Sequence, residues 1–159
     1  MNQGSGEHPF GDAGQLILLV LFLAVWIADS FLLHMTTSLT AVLSLSVRLL
    51  ILGAIVVIAA RLILAGHRAV DHGDTPPQLL TTGAFRYVRH PLYLGCVLVY
   101  LGLAVATASL ATLAVWVVIC LFYDFIAGYE ERVLLERYGG EYGAYRERTG
   151  KWVPRMRHR

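Results

Sequence analysis

The fold is decided at the stretch Thr82-Gly83-Ala84-Phe85-Arg86-Tyr87-Val88-Arg89-His90-Pro91-Leu92-Tyr93-Leu94-Gly95. It places arginines, a histidine and tyrosines at the start of a long apolar run. Proline suits the first position of a helix, where its missing N–H would be unbonded anyway, and it disfavours helical geometry in the residue before it. We therefore predict that a membrane helix begins at Pro91 with His90 as its N-cap. The positive end of that helix, beside Arg86 and Arg89, is suited to binding a carboxylate or a phosphate.

The composition outside this stretch indicates an integral membrane protein. Of 159 residues, 57% are hydrophobic and only 15% are charged, and the mean hydropathy is +0.60. A membrane-spanning helix needs about 20 mostly apolar residues. Four segments meet or approach this length, namely residues 16–33, 42–64, 91–106 and 109–128. We predict an all-α protein, one domain over residues 1–159, with four transmembrane helices and a cytosolic helical tail at 129–159.

The charges predict the orientation of these helices. Of the 13 Lys and Arg residues, most lie in the 66–90 loop and after residue 129. Because positive residues mark the cytoplasmic side, both termini and the 66–90 loop are expected in the cytosol, at the inner membrane if the protein is bacterial. Residues 1–14 carry no Lys or Arg, so the first apolar run is predicted to be a retained span rather than a secretory signal. Residues 1–14 themselves are predicted to be mobile.

Charged residues inside the apolar segments need partners, because an unpaired charge within a membrane is costly. Asp29 and Arg48 lie at matched depths in the first and second segments, which predicts an ion pair between them. Arg61 and Asp124 lie near the cytosolic ends of the second and fourth segments. They are expected either to pair or to line a pocket, and Arg61 has the further option of extending its charge to the interface.

The tail reads as two short helices. The first, at 129–138, continues the fourth span and ends at Gly139-Gly140, since glycine commonly stops a helix. The second, at 141–149, places Tyr142 and Tyr145 on one face. Trp152 and the basic residues around it suit the headgroup zone of a membrane, so an interfacial anchor is the simplest structural interpretation of the tail.

Other polar clusters and the cysteines carry no chemistry in this interpretation. The loop residues His67, Asp71, His72 and Asp74 lack a recognised metal-ligand spacing, and a solvated loop with no metal site is expected. Cys96 and Cys120 lie within spans and are expected to behave as small apolar residues. Membrane lipids are the expected surroundings, and no nucleic-acid partner is expected.

The pair Glu130-Glu131 is the second functional signal. Two adjacent acids just beyond a span are expected either to be solvated or to be bonded. The first site offers cationic groups and a helix N-terminus, the second offers carboxylates, and both are predicted on the cytosolic side. A small zwitterion with hydroxyls fits between them. S-adenosylmethionine, with its carboxylate, ammonium, ribose hydroxyls and sulfonium, is such a molecule.

Three motifs in order resemble a known family. They are the RHPxYxG pattern at 89–95, the EExxL pattern at 130–134 and the YGxxYxxY pattern at 138–145. Together they resemble the superfamily of isoprenylcysteine carboxyl methyltransferases and phospholipid methyltransferases, over roughly residues 45–155. The resemblance implies an integral membrane enzyme that uses S-adenosylmethionine, held between the start of the third helix and the tail.

The resemblance also assigns roles to residues. Its implied cofactor-binding set is Gly83, Phe85, Arg89, His90, Pro91, Tyr93, Gly95, Glu130 and Glu131. Gly95 would let the cofactor approach the helix backbone, because glycine has no side chain. Phe85 stands where the family has Tyr, which removes a hydroxyl. Lys151 stands where Arg is common, and the two are not equivalent in binding a carboxylate.

The expected reaction is direct transfer of the sulfonium methyl to a lipophilic acceptor that enters from the bilayer. Alignment and desolvation matter more than acid–base chemistry in such a displacement. The implied catalytic set is His90, Glu131, Arg148 and Lys151. His90, Glu130 and Glu131 are the possible bases if the acceptor must lose a proton, and Arg148 and Lys151 are candidates for orienting an anionic acceptor.

Several alternatives stay open at this point. The acceptor is a prenylated cysteine carboxylate, a phosphoethanolamine headgroup, or another lipid amine, thiol or acid. A nicotinamide-dependent reductase of the sterol-reductase type and a non-enzymatic membrane scaffold are the other classes. Gly53, Gly95 and Gly102 permit close helix packing, either within one chain or between copies, so the oligomeric state is open.

Overall fold

The computed structural model describes residues 11–71 and 79–155, with side chains described at 11–68 and 79–155. Five α-helices are present in these ranges: α1 Gly11–Ile27, α2 Leu45–Asp71, α3 Pro91–Thr107, α4 Leu110–Tyr138 and α5 Gly140–Arg148. A π-helical segment, Ala28–Leu33, extends α1, and 3-10 turns occur at Ser38–Ala41 and Gly83–Arg86. No strand forms within the described residues, so the prediction of an all-α fold is confirmed for this part of the chain.

Three helical stretches are long and apolar enough to cross a membrane: Gly11–Leu33, Leu45–Arg68 and Leu110–Tyr138. The apolar helix α3 has 17 residues, which correspond to about 26 Å against a hydrocarbon core of about 30 Å. The integral membrane fold is therefore supported, whereas the fourth span stays a prediction.

The helix boundaries follow local signals at three of the predicted positions. Helix α3 begins at Pro91, with His90 as a non-helical N-cap at φ −125°. Ser109 caps α4 by accepting a hydrogen bond from the backbone N–H of Thr112 at 3.1 Å, which completes the predicted tight turn between α3 and α4. Helix α4 ends at Gly139, whose φ of +52° favours glycine.

Three helix boundaries differ from the predictions. Residues 11–14, expected to be mobile, belong to α1, and residues 1–10 lie outside the described residues. Helix α2 begins later than predicted, at Leu45, and continues to Asp71, although residues 66–71 were expected in a loop. Polar residues do not by themselves end a helix, and Gly66 is tolerated there because the side chain of Leu92 packs directly against it. His72 and Asp74, the centre of the polar loop, lie outside the described residues.

Helices α2 and α3 pack closely through glycines of α3. A Cβ at Gly95 would lie 2.5 Å from the Ile63 side chain, and one at Gly102 would lie 3.0 Å from Leu52. The close packing predicted for these two glycines therefore occurs within the chain. It also gives Gly95 a packing role, whereas the resemblance had assigned this glycine to cofactor approach. A Cβ at Gly53, by contrast, would meet no atom of another helix within 4 Å in the described part of the chain.

The predicted ion pair between Asp29 and Arg48 is wrong. The Asp29 carboxylate accepts hydrogen bonds from the Thr36 backbone N–H at 3.0 Å, the Thr36 hydroxyl at 2.6 Å and the Ser109 hydroxyl at 2.6 Å. Arg48 instead donates to the Ala106 carbonyl at 2.8 Å, in the last turn of α3. Carbonyls at a helix C-terminus lack helical partners and carry partial negative charge, so each group is satisfied separately.

The core lies between α1, α3 and α4. Its buried centre consists of Phe22, Val97, Ile119, Tyr123 and Ile126. Large apolar side chains remain exposed on the outer faces of α1 and α2, including Leu50 at 75% and Leu32 at 71%. Exposed apolar surface of this extent is expected where lipid rather than water surrounds the helices.

Candidate functional site

The two predicted motifs meet through a buried ion pair. Arg89, just before α3, donates from Nε to Glu131 Oε1 at 2.9 Å and from Nη2 to Oε2 at 3.2 Å. The side chains are 8% and 10% exposed. A two-pronged bond between guanidinium and carboxylate fixes both position and orientation. The predicted convergence of the start of α3 with the paired acids of α4 is therefore confirmed.

His90 lies beside this pair because Pro91 ends the preceding loop and starts the helix. His90 Nε2 is 3.1 Å from Glu131 Oε1, and Nδ1 is 3.7 Å from Glu130 Oε2. The imidazole is stacked on the Tyr93 ring with centroids 5.8 Å apart, and the Trp152 ring lies 5.7 Å away. The side chain makes no N-cap bond, so it is available to the site rather than to its own helix.

Glu130 faces the same helix start from the other side. The Tyr93 hydroxyl donates to Glu130 Oε1, and the Tyr93 ring also packs against Tyr123 of α4 at 5.2 Å. Glu131 therefore bonds the residues just before α3, whereas Glu130 bonds Tyr93 in the first turn of α3. The predicted residues Arg89, His90, Tyr93, Glu130 and Glu131 thus form one connected polar network.

The tail docks onto this network, and its predicted role as an interfacial anchor stays a prediction. Arg89 Nη1 donates to the Thr149 carbonyl at 2.5 Å and to the Arg146 carbonyl at 3.3 Å. The Arg89 backbone N–H donates to the Gly150 carbonyl at 2.9 Å, beside an isolated bridge between Val88 and Gly150. One arginine therefore holds α3, α4 and the tail together.

The aromatic face of α5 is buried by this docking. Tyr142 is 1% exposed and Tyr145 is 4% exposed, and the Tyr145 hydroxyl donates to the Phe85 carbonyl at 2.7 Å. Burial raises the pKa of Tyr145 to about 12 and also raises the pKa of Tyr142. Both hydroxyls therefore stay protonated over the physiological pH range.

Asp124 pairs with the tail and not with Arg61. Its carboxylate accepts from Lys151 Nζ at 2.5 Å and from Trp152 Nε1 at 2.8 Å. Lys151 also donates to the Asp124 carbonyl at 3.0 Å. The chain reverses direction at Gly150 and runs back along α4. Lys151 and Trp152 therefore reach Asp124, which lies two helical turns before Glu131 on α4. The suggested pairing of Arg61 with Asp124 is thus corrected, and Arg61 lines a groove, the second option.

A cavity of about 180 Å³ adjoins the network on the side of α5. Its walls are mainly aromatic and aliphatic, and they comprise Leu79, Leu80, Phe85, Arg89, His90, Leu134, Tyr138, Tyr142 and Tyr145. The Tyr142 hydroxyl is buried and has no hydrogen-bond partner within the described part of the chain. An unsatisfied buried hydroxyl costs about 1–3 kcal/mol, so this group is a natural contact for a bound ligand.

The remaining predicted site residues lie in different places. Phe85 lines the aromatic cavity, and Pro91 is fully buried at the start of α3. Gly83, at φ +61°, begins the 3-10 turn and lines a groove that includes none of the aromatic cavity's described residues. Arg148 lines a separate cavity, with its Nε donating to the Ala144 carbonyl at 3.1 Å.

Leu134, Tyr138 and Tyr142 line the cavity, although they were not among the predicted site residues. The signal for them was present in the EExxL and YGxxYxxY patterns, which contain all three. Their spacing of four residues puts neighbours on one helix face. The turn at Gly139 then brings α4 and α5 to the same cavity, and that geometry was not readable from the spacing.

Comparison with known proteins agrees with these observations. A methanethiol S-methyltransferase of Bradyrhizobium diazoefficiens is 34% identical over 92 residues, which are 55% of this chain and 32% of that protein. The cobalt-zinc-cadmium resistance protein CzcN of Cupriavidus metallidurans is 37% identical over 79 residues, 49% of this chain and 36% of that protein. The matched regions thus span about a third of the length of these relatives.

No solved structure matches the chain significantly. The phospholipid methyltransferase family matches residues 39–141, which include α2, α3, α4 and both acids of the pair. The predicted resemblance to the membrane methyltransferase superfamily is confirmed by this match, and the chain belongs to the phospholipid methyltransferase family.

Proposed function

We propose that this protein transfers a methyl group from S-adenosylmethionine to a lipophilic acceptor at the membrane surface. The observation that carries the proposal is the junction of Arg89-His90 with Glu130-Glu131 beside an aromatic cavity. The sequence motifs that match the family are the same residues that the fold brings together. Membership of a methyltransferase family supports the reaction class, and three long apolar helices support the membrane setting.

The residues around the cavity fit part of the cofactor. Its aromatic walls suit a planar ring, and the unpartnered Tyr142 hydroxyl suits a hydrogen bond to it. The cavity volume of about 180 Å³ is below the roughly 300–1,000 Å³ of a complete ligand pocket. We therefore assign it to the adenosyl end, with the rest of the cofactor reaching toward His90, Tyr93 and Glu130. The bound cofactor would supply the electrophilic methyl on its sulfonium.

Arg89 and Glu131 act mainly as positioning residues in this proposal. Each satisfies the other, and Arg89 also holds two tail carbonyls. Their contribution is to keep the start of α3, the end of α4 and the tail in register, since an oriented site lowers the barrier to a displacement reaction. His90, which is 7% exposed, is the group best placed to take a proton from an amine or thiol acceptor.

The acceptor is the finer part of the proposal. The family description favours a lipid headgroup, and the name of the Bradyrhizobium relative favours a thiol. A carboxylate acceptor, such as a prenylated cysteine, would need no base. Lys151 would have to exchange its bond to Asp124 for one to an anionic acceptor, and Arg148 lies in a separate cavity. Their acceptor-orienting roles stay predictions.

We place the site at the cytosolic face, because the basic residues of the 83–89 segment and of the tail lie around it. Membrane-impermeant labelling of a cysteine introduced at exposed Glu136 in intact cells tests this orientation. The Cys96→Ala/Cys120→Ala background removes the native thiols. We expect labelling only after the cells are permeabilised. Labelling of intact cells would show that the site faces the other side of the membrane.

A binding experiment tests the cofactor assignment. Purified protein in detergent is titrated with S-adenosylhomocysteine and, separately, with a nicotinamide dinucleotide, while the melting temperature is followed. A ligand at 100 times its dissociation constant stabilises a protein by about 2.7 kcal/mol. A shift with S-adenosylhomocysteine alone is expected. A shift with the dinucleotide alone would indicate a reductase, and no shift with either would indicate a scaffold.

Two matched variants locate the binding site. Tyr142→Phe removes one hydroxyl from the cavity and should weaken S-adenosylhomocysteine binding about two- to tenfold. Tyr87→Phe removes a hydroxyl from a ring that is 62% exposed outside this cavity and should leave binding unchanged. Equal affinities for the two variants would show that the cavity does not hold the cofactor.

A labelling experiment identifies the acceptor. Protein in vesicles is incubated with methyl-labelled S-adenosylmethionine and either host phospholipids, a small alkyl thiol or a farnesylated cysteine, and the products are separated. Label in one class names the acceptor. His90→Ala should lower transfer to an amine or thiol more than it lowers S-adenosylhomocysteine binding. Equal loss of both would indicate that His90 serves binding alone.

A further inference from the structure

A second surface adjoins the Gly83–Arg86 turn, and among the described residues it shares only Tyr145 with the lining of the aromatic cavity. It consists of a groove of about 600 Å³ between α2 and that turn, joined to a cavity of about 470 Å³ against the tail. Arg86 and Tyr87 line both spaces, so we treat them as one feature, the arginine groove. None of Arg89, His90, Glu130 and Glu131 lines it.

The described lining residues of the arginine groove carry a net positive charge. Arg61 of α2, Arg86 of the turn, and Arg148 and Arg155 of the tail line it, and none of its described lining residues is acidic. Within residues 11–68 and 79–155, no carboxylate forms a salt bridge with any of the four. Arginines contributed by three separate segments, with no acid among them, make a site for an anion with several oxygens.

The walls of the groove are apolar where it approaches α2. Leu62, Ala65 and Leu94 form this part. Ile58, three residues before Arg61 and therefore on the same face of α2, is 53% exposed and continues the apolar surface toward the middle of the span. Tyr87 is 62% exposed at the rim, as is typical of aromatic residues at a membrane interface. A ligand that complements this surface has an anionic head and an apolar chain.

We propose that the arginine groove binds the phosphate of an anionic phospholipid, whose acyl chains lie along the exposed face of α2. This lipid is separate from the methyl acceptor, and the proposal does not depend on methyl transfer. Arg61 lies near the end of a candidate span, where basic residues attract anionic lipids. The bound phosphate would join α2 to the turn that leads into Arg89 and His90, so the lipid would also steady the entrance of α3.

The test measures lipid binding to the full chain in a neutral detergent without cofactor. A fluorescent short-chain phosphatidylglycerol is the probe, and phosphatidylcholine of the same chain length is the neutral comparison. Each arginine near a membrane surface contributes about a fivefold gain in affinity, so Arg61→Gln with Arg86→Gln should weaken phosphatidylglycerol binding by roughly thirtyfold. The control Arg132→Gln with Arg137→Gln removes the same charge from exposed positions of α4 that do not line the groove.

Each outcome decides the proposal. Preference for phosphatidylglycerol, lost in the groove variant and kept in the control, supports it. Equal binding of the two lipids, or equal losses in the two double variants, overturns it. Complete displacement by inorganic phosphate at the same concentration as the lipid would indicate a free-anion site instead. If the groove variant melts at a lower temperature than the parent, Arg61→Lys with Arg86→Lys keeps the charge, and should retain most of the affinity if the proposal holds.

Discussion

Replacing Arg89 by Gln should release the tail from the helices. The guanidinium bonds both oxygens of Glu131 and the carbonyls of Thr149 and Arg146, and the Arg89 and Glu131 side chains are 8% and 10% exposed. Removing one partner of a buried ion pair costs about 3–5 kcal/mol, because the other charge is left buried without its partner. His90 remains beside Glu131 and offsets part of this loss, so the lower end of the range is expected.

Hydrogen exchange of the tail amides measures this cost directly. A loss of about 3 kcal/mol in the free energy of opening corresponds to exchange faster by roughly 100-fold or more in residues 140–155. Arg89→Lys keeps the charge without the two-pronged geometry, so its tail exchange rate should lie between those of Arg89→Gln and the parent. Arg132→Gln, on the exposed side of α4, is the matched control and should change exchange by less than about twofold.

A double-mutant cycle separates the ion pair from other effects. Arg89→Gln and Glu131→Gln, measured alone and together, should show a coupling energy of about 1.5 kcal/mol or more. The reasoning fails if the two changes are additive within about 0.5 kcal/mol. It also fails if Arg89→Gln accelerates tail exchange no more than Arg132→Gln does.

Three further predictions concern packing, buried charge and pH. Gly95→Ala should lower the melting temperature, since overpacking costs about 1–3 kcal/mol. Gly53→Ala, in open space, is the control and should be neutral or stabilising. Equal effects of the two changes would exclude helix packing as the reason for Gly95. Asp29→Asn and Arg48→Gln should destabilise additively within about 0.5 kcal/mol in thermal unfolding, and a larger coupling would reinstate an ion pair. Because the folded pKa of Tyr145 is raised from 10.0 to about 12, the stability of the docked tail should be complete below pH 10 and fall as pH rises toward 12. Hydrogen exchange of the tail amides, corrected for its intrinsic pH dependence, should show this fall in stability. If the stability of the tail falls with pH equally steeply in Tyr145→Phe, Tyr145 is not the cause.

Local signals in the sequence predicted the start of α3 and the end of α4. Pro91 acts through its fixed φ and its missing N–H, and Gly139 through the positive φ that glycine adopts easily, and neither effect depends on distant residues. The motifs also identified the residues that form the polar network. The length of α2 was harder to predict, because Gly66 and the polar residues after it suggested a loop, although neither feature by itself ends a helix.

The pairing of charged residues could not be predicted from the sequence. Depth along a span gives the height of a side chain but not its direction around the helix. Asp29 and Arg48 have matched depths, yet hydroxyls satisfy the first and a helix-end carbonyl satisfies the second. Asp124 likewise bonds to Lys151 because the tail turns back at Gly150, which is a consequence of tertiary folding.

If the aromatic cavity holds the proposed cofactor, docking of the tail and binding of the cofactor should be coupled. Tyr142 and Tyr145 of α5 form a wall of the aromatic cavity, and Arg89 helps to hold that wall in place through its bonds to the tail carbonyls. A ligand in the cavity binds the state in which the tail is docked and not the state in which it is open. Binding of the ligand therefore stabilises docking, and docking strengthens binding of the ligand by the same free energy. S-adenosylhomocysteine should therefore slow hydrogen exchange in residues 140–155, and Arg89→Gln should weaken the ligand even though Arg89 need not touch it. If S-adenosylhomocysteine protected the tail equally in the parent and in Arg89→Gln, tail docking and ligand binding would be independent. The cofactor site would then lie elsewhere.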